Sequence, residues 1–234
     1  MDYEKYGEVF RKGNVTLINC DCMDLMADAP ENHWQLSIID PPYGIGENGD
    51  RNKSRGKLAA AQDYKSFAGG DISAPDFDYF CELKRVSKNQ IIWGANHFCG
   101  TFGGSSSCWI VWDKMTGASD FADCELAYTS FKTAVRKFQF QWSGMLQGDM
   151  KTKERRIHPT QKPVKLYQWL LSNYAKPGDR ILDTHLGSGS SAIAAHYAGH
   201  DFVGIELDED YFKAASKRVD NETRQVDIFA EASQ

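Results

Sequence analysis

Short apolar runs and helical stripes alternate along the chain. Val15-Thr16-Leu17-Ile18-Asn19 is a β-branched run ending at Cys20-Asp21-Cys22, the pattern of a buried strand. Met23 to Ala29 predicts a short helix, stopped near Pro30. Trp34-Gln35-Leu36-Ser37-Ile38-Ile39 is a second buried strand, ending at Asp40. Two successive strands joined by a helix predict a parallel βαβ unit. Residues 44–74 sustain no period and are rich in glycine at their start; a connection of that length is a lid or a disordered segment.

Pro75 opens a helix predicted to reach Val86, with Phe77, Phe80, Cys81 and Leu83 on its inner side. Strands are predicted at Gln90–Trp93, Ser107–Trp112, Cys124–Phe131 and Ala134–Trp142. No helix is read between these later strands, so they predict an antiparallel part of the sheet. Pro163 suits a first helical position, and Val164, Tyr167, Leu170, Leu171 and Tyr174 follow at helical spacing to Ala175. The last third reads strand Arg180–Asp183, helix Ser190–Tyr197, strand Phe202–Glu206, helix Glu209–Val219. The whole predicts one α/β domain over residues 1–220 with a tail at 221–234.

Charge changes this picture. The net charge is −5, which by itself argues against a polyanion partner. Residues 132–165, however, hold nine Lys/Arg against two acids, a surplus of seven positive charges, and the other 200 residues then carry −12. A basic segment on an acidic body is the footprint of a polyanion site. The six cysteines show neither Cys-x-x-Cys pairs nor metal-ligand spacing with histidine, so no metal is expected and reduced thiols are. No apolar stretch is long enough to span a membrane and none follows the N-terminus as a secretory signal, so the expected location is cytoplasmic.

Two stretches carry chemistry. In Asp40-Pro41-Pro42-Tyr43 two prolines fix φ twice and push Asp40 toward an extended backbone. Neither has an N–H to compete for the neighbouring carbonyls. The result is a rigid corner with a carboxylate, a free carbonyl and an aromatic ring, suited to gripping a planar group that carries an NH2. In Gly187-x-Gly189-x-x-Ala192, placed between a strand and a helix, glycines let a ligand approach the backbone, and Glu206 lies 17 residues after Gly189, where an acid holds a ribose diol. That loop fits any adenosine cofactor. NAD would set a pyrophosphate on the helix N-terminus. S-adenosylmethionine has an ammonium instead, which Asp183 can receive, with Asp21 left for the adenine amino group.

Asp40-Pro41-Pro42-Tyr43, His158-Pro159-Thr160-Gln161-Lys162-Pro163, Asp183-x-x-x-Gly187-Ser188-Gly189-Ser190 and Glu206, in that order, resemble an S-adenosylmethionine-dependent DNA adenine-N6 methyltransferase. The catalytic motif precedes the cofactor motif, as in the permuted β group of the amino-methyltransferases. Residues 14–43 and 157–220 carry the resemblance, and the middle is only compatible with it. It implies a Rossmann-like methyltransferase fold with a mixed, mostly parallel sheet, helices on both faces and circularly permuted motif order. It implies a cofactor loop of Asp183, Leu186, Gly187, Ser188, Gly189 and Ser190, Glu206 at the ribose, Asp21 with Cys22 at the adenine, and Leu207 as a further cofactor contact. Thr160, Gln161 and Lys162 would line the methionine end, with Asp40 beside the cofactor. Catalysis would fall to Asp40, Pro41, Pro42 and Tyr43, which hold a flipped-out adenine by its amino group. The loop departs from many relatives at Thr184-His185, where they have proline and phenylalanine, and His185 is read as a loop histidine.

Double-stranded DNA is the expected partner. Its contacts are assigned to Arg51, Lys53, Arg55 and Lys57 in the 44–74 loop and to Arg136, Lys137, Lys151, Lys153, Arg155 and Arg156 in a short target-recognition region, 132–157. A recognition region this short suggests a homodimer sharing one DNA. Gln225-Val226-Asp227-Ile228-Phe229, beyond the last predicted helix, resembles the peptide by which bacterial replication proteins dock on the sliding clamp; the other reading is a terminal strand packing Ile228 and Phe229 on the body. Competing functions are cytosine-N4 methylation of DNA, adenine methylation of RNA, an inactive DNA-binding subunit, and an NAD oxidoreductase. Cytosine-N4 relatives more often begin the corner with serine, and an oxidoreductase has no use for Asp-Pro-Pro-Tyr. No nuclease motif is present, which leaves a restriction-modification, solitary or phage-borne setting open.

Overall fold

The computed structural model describes residues 1–46, 73–117, 122–143, 146–151 and 153–231, with side chains described as far as Arg224. Arg51, Lys53, Arg55 and Lys57 lie outside the described residues, as does most of the expected lid.

The N-terminal half holds β1 (Glu8–Lys12), β2 (Val15–Asn19), α1 (Cys22–Asp28), β3 (Trp34–Ile39), α2 (Phe77–Val86) and β4 (Ser87–Trp93). A one-turn helix α3 (Cys99–Phe102) precedes β5 (Trp109–Asp113), β6 (Cys124–Thr129), β7 (Arg136–Gln139), and a hairpin of β8 (Trp142–Ser143) and β9 (Leu146–Gln147). The chain then runs α4 (Val164–Tyr174), β10 (Arg180–Asp183), α5 (Ser190–Ala198), β11 (Asp201–Glu206) and α6 (Glu209–Glu231). Nine strands form one sheet in the order β1-β2-β11-β10-β3-β4-β6-β5-β7.

The five central strands, β2, β11, β10, β3 and β4, are parallel. Alternate residues of each point into two cores. One core joins Leu17, Leu36, Ile38 and Ile91 to Leu166, Ile193 and Phe212 of α4, α5 and α6. The other joins Ile18, Ile39, Ile92 and Leu182 to Leu25, Tyr79 and Phe80 of α1 and α2. Helices therefore cover both faces, as expected of a Rossmann-like sheet.

Several expectations need correction. β1 was not foreseen; it pairs antiparallel on β2 and is too mixed in character to stand out. β7 pairs parallel with β5, not antiparallel. The reason is topological: β4 fills the far side of β6, so the chain reverses after β6 and must settle beyond β5. The expected strand at 134–142 is two pieces, β7 and the start of the separate hairpin. On α2 the side chain of Asp76 caps the helix through Tyr79 N–H, and the buried residues are Tyr79, Phe80, Leu83 and Val86, while Phe77 is 60% exposed and Cys81 is exposed. The last helix continues through Glu231, so Gln225–Phe229 is helical backbone, neither a tail beyond the helix nor a terminal strand.

Candidate active site

Four neighbouring strands each end in an acid on the same edge of the sheet. β2 leads to Asp21, β11 ends in Glu206, β10 ends in Asp183 and β3 leads to Asp40. The paired strands β10 and β3, in register at Leu182 and Ser37, form the switch point of the sheet. From there the chain winds toward β11 in one direction and toward β4 in the other. Ligands of open α/β sheets bind in that crevice.

On the β10 side the glycine loop is built from its own neighbourhood. Gly187 and Gly189 have φ of 53° and 75°, values that favour glycine. A Cβ at Gly189 would stand 3.2 Å from Val219 of α6. Asp183 is buried and both its oxygens accept hydrogen bonds, from His185 N–H at 3.0 Å and from the Ser191 hydroxyl at 2.6 Å. Burial pushes its carboxyl up to about 7. Glu206 accepts from Gly187 N–H at 2.8 Å and from Asp208 N–H at 3.0 Å, and burial raises its carboxyl as well. Arg218 of α6 donates to the Ser188 carbonyl and the Ser190 hydroxyl, both at 2.9 Å. It also pairs with Glu154 at 2.8 Å, and the other Glu154 oxygen accepts Val164 N–H at the start of α4. Leu186 is buried and Leu207 is 60% exposed at the end of β11. Asp21 caps α1 through Met23 N–H at 2.8 Å, and burial pushes the neighbouring Cys22 thiol up to about 12. Neither Cys22 nor Cys20, pushed up to about 11 by burial, is an activated thiolate.

His185 is not a free loop histidine. Its ring meets Tyr79 edge-on at 5.5 Å and its Nδ1 lies 3.0 Å from the Thr184 hydroxyl, which in turn bonds the Tyr79 hydroxyl at 2.6 Å.

On the β3 side the corner is built from distant residues. Lys162 Nζ lies 2.5 Å from Asp40 Oδ2, 3.0 Å from Glu125 Oε2 and donates to Tyr43 Oη at 3.1 Å. The Tyr43 hydroxyl donates to Asp40 Oδ1 at 2.7 Å. Glu125, on β6, is also paired with Lys114. Burial pushes the Asp40 carboxyl up, with the Lys162 ammonium pulling against it. Burial acts on Glu125 too, but Lys162 and Lys114 outweigh it and hold that carboxyl down at about 2. The Tyr43 ring lies against Gly94, where a Cβ would come within 2.0 Å of it, and stacks on His97 at 5.0 Å. Trp93 places its ring 5.6 Å from Lys162 Nζ.

Lys162 was expected at the methionine end of a cofactor; its ammonium sits in the Asp40 corner. Gln161 is buried and stitches its own loop, accepting Ile157 N–H at 2.9 Å while its carbonyl accepts Trp142 Nε1–H at 2.8 Å. Thr160 bonds His158 Nδ1 at 3.0 Å, and the His158 ring packs on Tyr211 at 4.4 Å. Glu125, Lys114 and His97 were missed by sequence reasoning. Glu125 sits in an apolar strand, Cys124–Thr129, and that was the available signal.

The basic segment divides. Lys162 is withdrawn into the site, and Arg156 lies over the Trp142 ring at 4.5 Å. Arg136 and Lys137 are exposed on the edge strand β7, and Lys151, Lys153 and Arg155 are exposed between β9 and α4. Among the described residues no group of side chains is arranged to hold a metal ion, and no helix is long and apolar enough to cross a membrane.

The DNA methylase family N6_N4_Mtase matches residues 84–217. The type II methyltransferase M.HinfI of Haemophilus influenzae is 25% identical over 245 aligned positions, covering 87% of this chain and 68% of that protein. The putative methylase YubD of Escherichia coli K12 is 28% identical over 219 positions, covering 86% of this chain and 88% of that one. Among solved structures, the M1.HpyAVI–SAM complex shares the fold with a TM-score of 0.54 at 19% identity, over 87% of this chain and 99% of that chain.

Proposed function

The chain belongs to the DNA methylase family, and within it we propose that this enzyme methylates N6 of an adenine flipped out of double-stranded DNA. The observation that carries the reading is the adjacency of the Asp40 corner and the Asp183–Gly189 loop at the ends of two paired strands.

S-adenosylmethionine is the methyl donor of this methyltransferase, and when bound it supplies a methyl group on a sulfonium. The residues present fit it. Asp21, Asp183 and Glu206 put three acids on the cofactor side, a donor set that welcomes a cation and repels a pyrophosphate. Asp183 would hold the ammonium end, Glu206 the ribose hydroxyls, and Asp21, Cys22 and exposed Leu207 the adenine. Thr160 and Gln161 shape the loop at the methionine end.

An adenine stacked in a duplex hides its amino group, so the base must leave the stack. Tyr43 offers a ring for the extruded base, worth roughly 1–3 kcal/mol in stacking. The N6 lone pair is delocalised into the purine ring. Asp40 and the Pro41 carbonyl accept the two N6 hydrogens, turning that lone pair outward and stabilising the positive charge that develops on nitrogen. The methylated ammonium is acidic enough to lose its proton afterwards, so no general base is required. Asp40, where cytosine-N4 relatives more often have serine, favours adenine. The exposed Arg136, Lys137, Lys151, Lys153 and Arg155 would track the phosphates.

The test is to incubate unmodified DNA with the enzyme and S-adenosylmethionine, digest to nucleosides and analyse by mass spectrometry. N6-methyladenine is expected. N4-methylcytosine overturns the choice of base, and absence of any methylated nucleoside overturns the activity.

A further inference from the structure

Both oxygens of the Asp40 carboxylate are already occupied, Oδ1 by the Tyr43 hydroxyl and Oδ2 by the Lys162 ammonium. Each oxygen keeps a second lone pair, so a target amine meets a carboxylate already shared with a cation and competes with the Lys162 ammonium for it. The Lys162 side chain is only 4% exposed, and a buried ammonium that loses its partner is strongly destabilised. A second carboxylate waits for it: Glu125 Oε2, already 3.0 Å from the same nitrogen. Lys114 holds the other Glu125 oxygen, so Glu125 is kept ionised and oriented. The rings of Tyr43 and Trp93, each 5.6 Å from Nζ, give the cation two favourable faces.

We propose that Lys162 and Glu125 are positioning residues of the methyl transfer: Lys162 holds Asp40 while the corner is empty, and Glu125 takes the ammonium over when the target amine arrives. This rests on the reading that Asp40 receives that amine. The groups facing Asp40 are Lys162 and Tyr43, Glu125 from β6, Tyr167 from α4 and Asp183 from β10. Of the two other carboxylates, Asp183 is committed to Ser191 and His185. Glu125 alone already touches the lysine.

The experiment measures transfer of tritiated methyl groups into mixed-sequence DNA, counted whichever base receives them, with S-adenosylmethionine affinity by calorimetry. Glu125→Gln leaves the ammonium no second carboxylate, so it stays on Asp40. Its kcat is expected to fall at least about tenfold with cofactor affinity unchanged. Adding Lys162→Gln to Glu125→Gln removes the competitor and should recover at least about threefold in kcat. Two merely structural losses would add instead. A double variant no faster than Glu125→Gln overturns the proposal, as does an unimpaired Glu125→Gln.

Lys162→Arg keeps the charge and serves if Glu125→Gln does not fold. Its planar fork can pin both Asp40 oxygens, so kcat should fall while cofactor affinity holds, and an unchanged kcat overturns the proposal. A wild type that methylates no DNA defeats the reading of the site and the proposal together. A methylating wild type whose variants fail these tests defeats the proposal alone.

Discussion

The two halves of the site hold their acids in different ways. Asp183 is fixed by donors two and eight residues away, and Glu206 by backbone N–H groups of Gly187 and Asp208. All four donors are neutral. Asp40 accepts from the Tyr43 hydroxyl three residues on, but its other oxygen is held by Lys162, a cation from a distant part of the chain, backed by a glutamate on β6. A carboxylate held by its own backbone loop is a permanent part of the wall. One held by a movable side-chain cation can be handed to a ligand. The glycine loop is therefore a preformed cradle, and the corner is a site that exchanges partners when the substrate enters.

Removing Asp40 should break this contrast most sharply. Asp40→Ala is expected to lower methyl transfer by roughly 10²–10³-fold, the usual cost of one transition-state hydrogen-bond partner, while cofactor binding stays within about twofold because Asp183 and Glu206 keep their own donors. Tritium transfer and calorimetry on the same preparation measure both, and an equal loss in the two would mean that the halves are not separable. Asp183→Ala should do the reverse. It strands a buried hydroxyl and a backbone N–H, at about 1–3 kcal/mol each, so thermal stability and cofactor affinity fall together. Much of the transfer rate should return at saturating S-adenosylmethionine; a rate that stays low at saturation would put Asp183 in the chemistry itself. Tyr43→Phe is milder. It keeps the ring and removes two hydrogen bonds, one to Asp40 and one from Lys162, each worth about 0.5–1.5 kcal/mol, so kcat should fall several-fold without a change in cofactor affinity.

The same contrast explains what could be read from the sequence. The four strand-end acids, the glycine loop and the proline corner are local patterns, and each is visible in a window of a few residues. So were the central βαβ units. The Lys162–Glu125–Lys114 cluster joins the β5–β6 pair to the loop that precedes α4, and no short window contains it. The contacts of Lys162 with Asp40 and Glu125 were not legible for that reason, since they depend on strands far away in the chain. The parallel β7 was lost in the same way, since its direction follows from which edges are already taken.

His185 is the exception within the locally built half, a titratable side chain among neutral donors. Burial pushes its imidazole down to about 4, against roughly 6.5 in an unfolded chain. Between those values the unfolded chain takes up a proton that the folded chain refuses, so His185 lowers stability as pH falls through 6.5 toward 4 and contributes nothing above that window. His158, also pushed down to about 4 by burial, acts in the same direction. Asp183, raised to about 7, acts in the opposite one, because the folded chain keeps its proton longer and stability falls as pH rises from about 4 to 7. His185→Phe loses the contact with Thr184 at every pH but removes the proton-linked penalty only in acid. The fall in melting temperature from pH 8 to pH 5 should therefore be smaller in the variant than in the wild type, as followed by differential scanning fluorimetry. An unchanged fall would mean that the imidazole is protonated in place, and that the cradle tolerates a charge where its other donors are neutral.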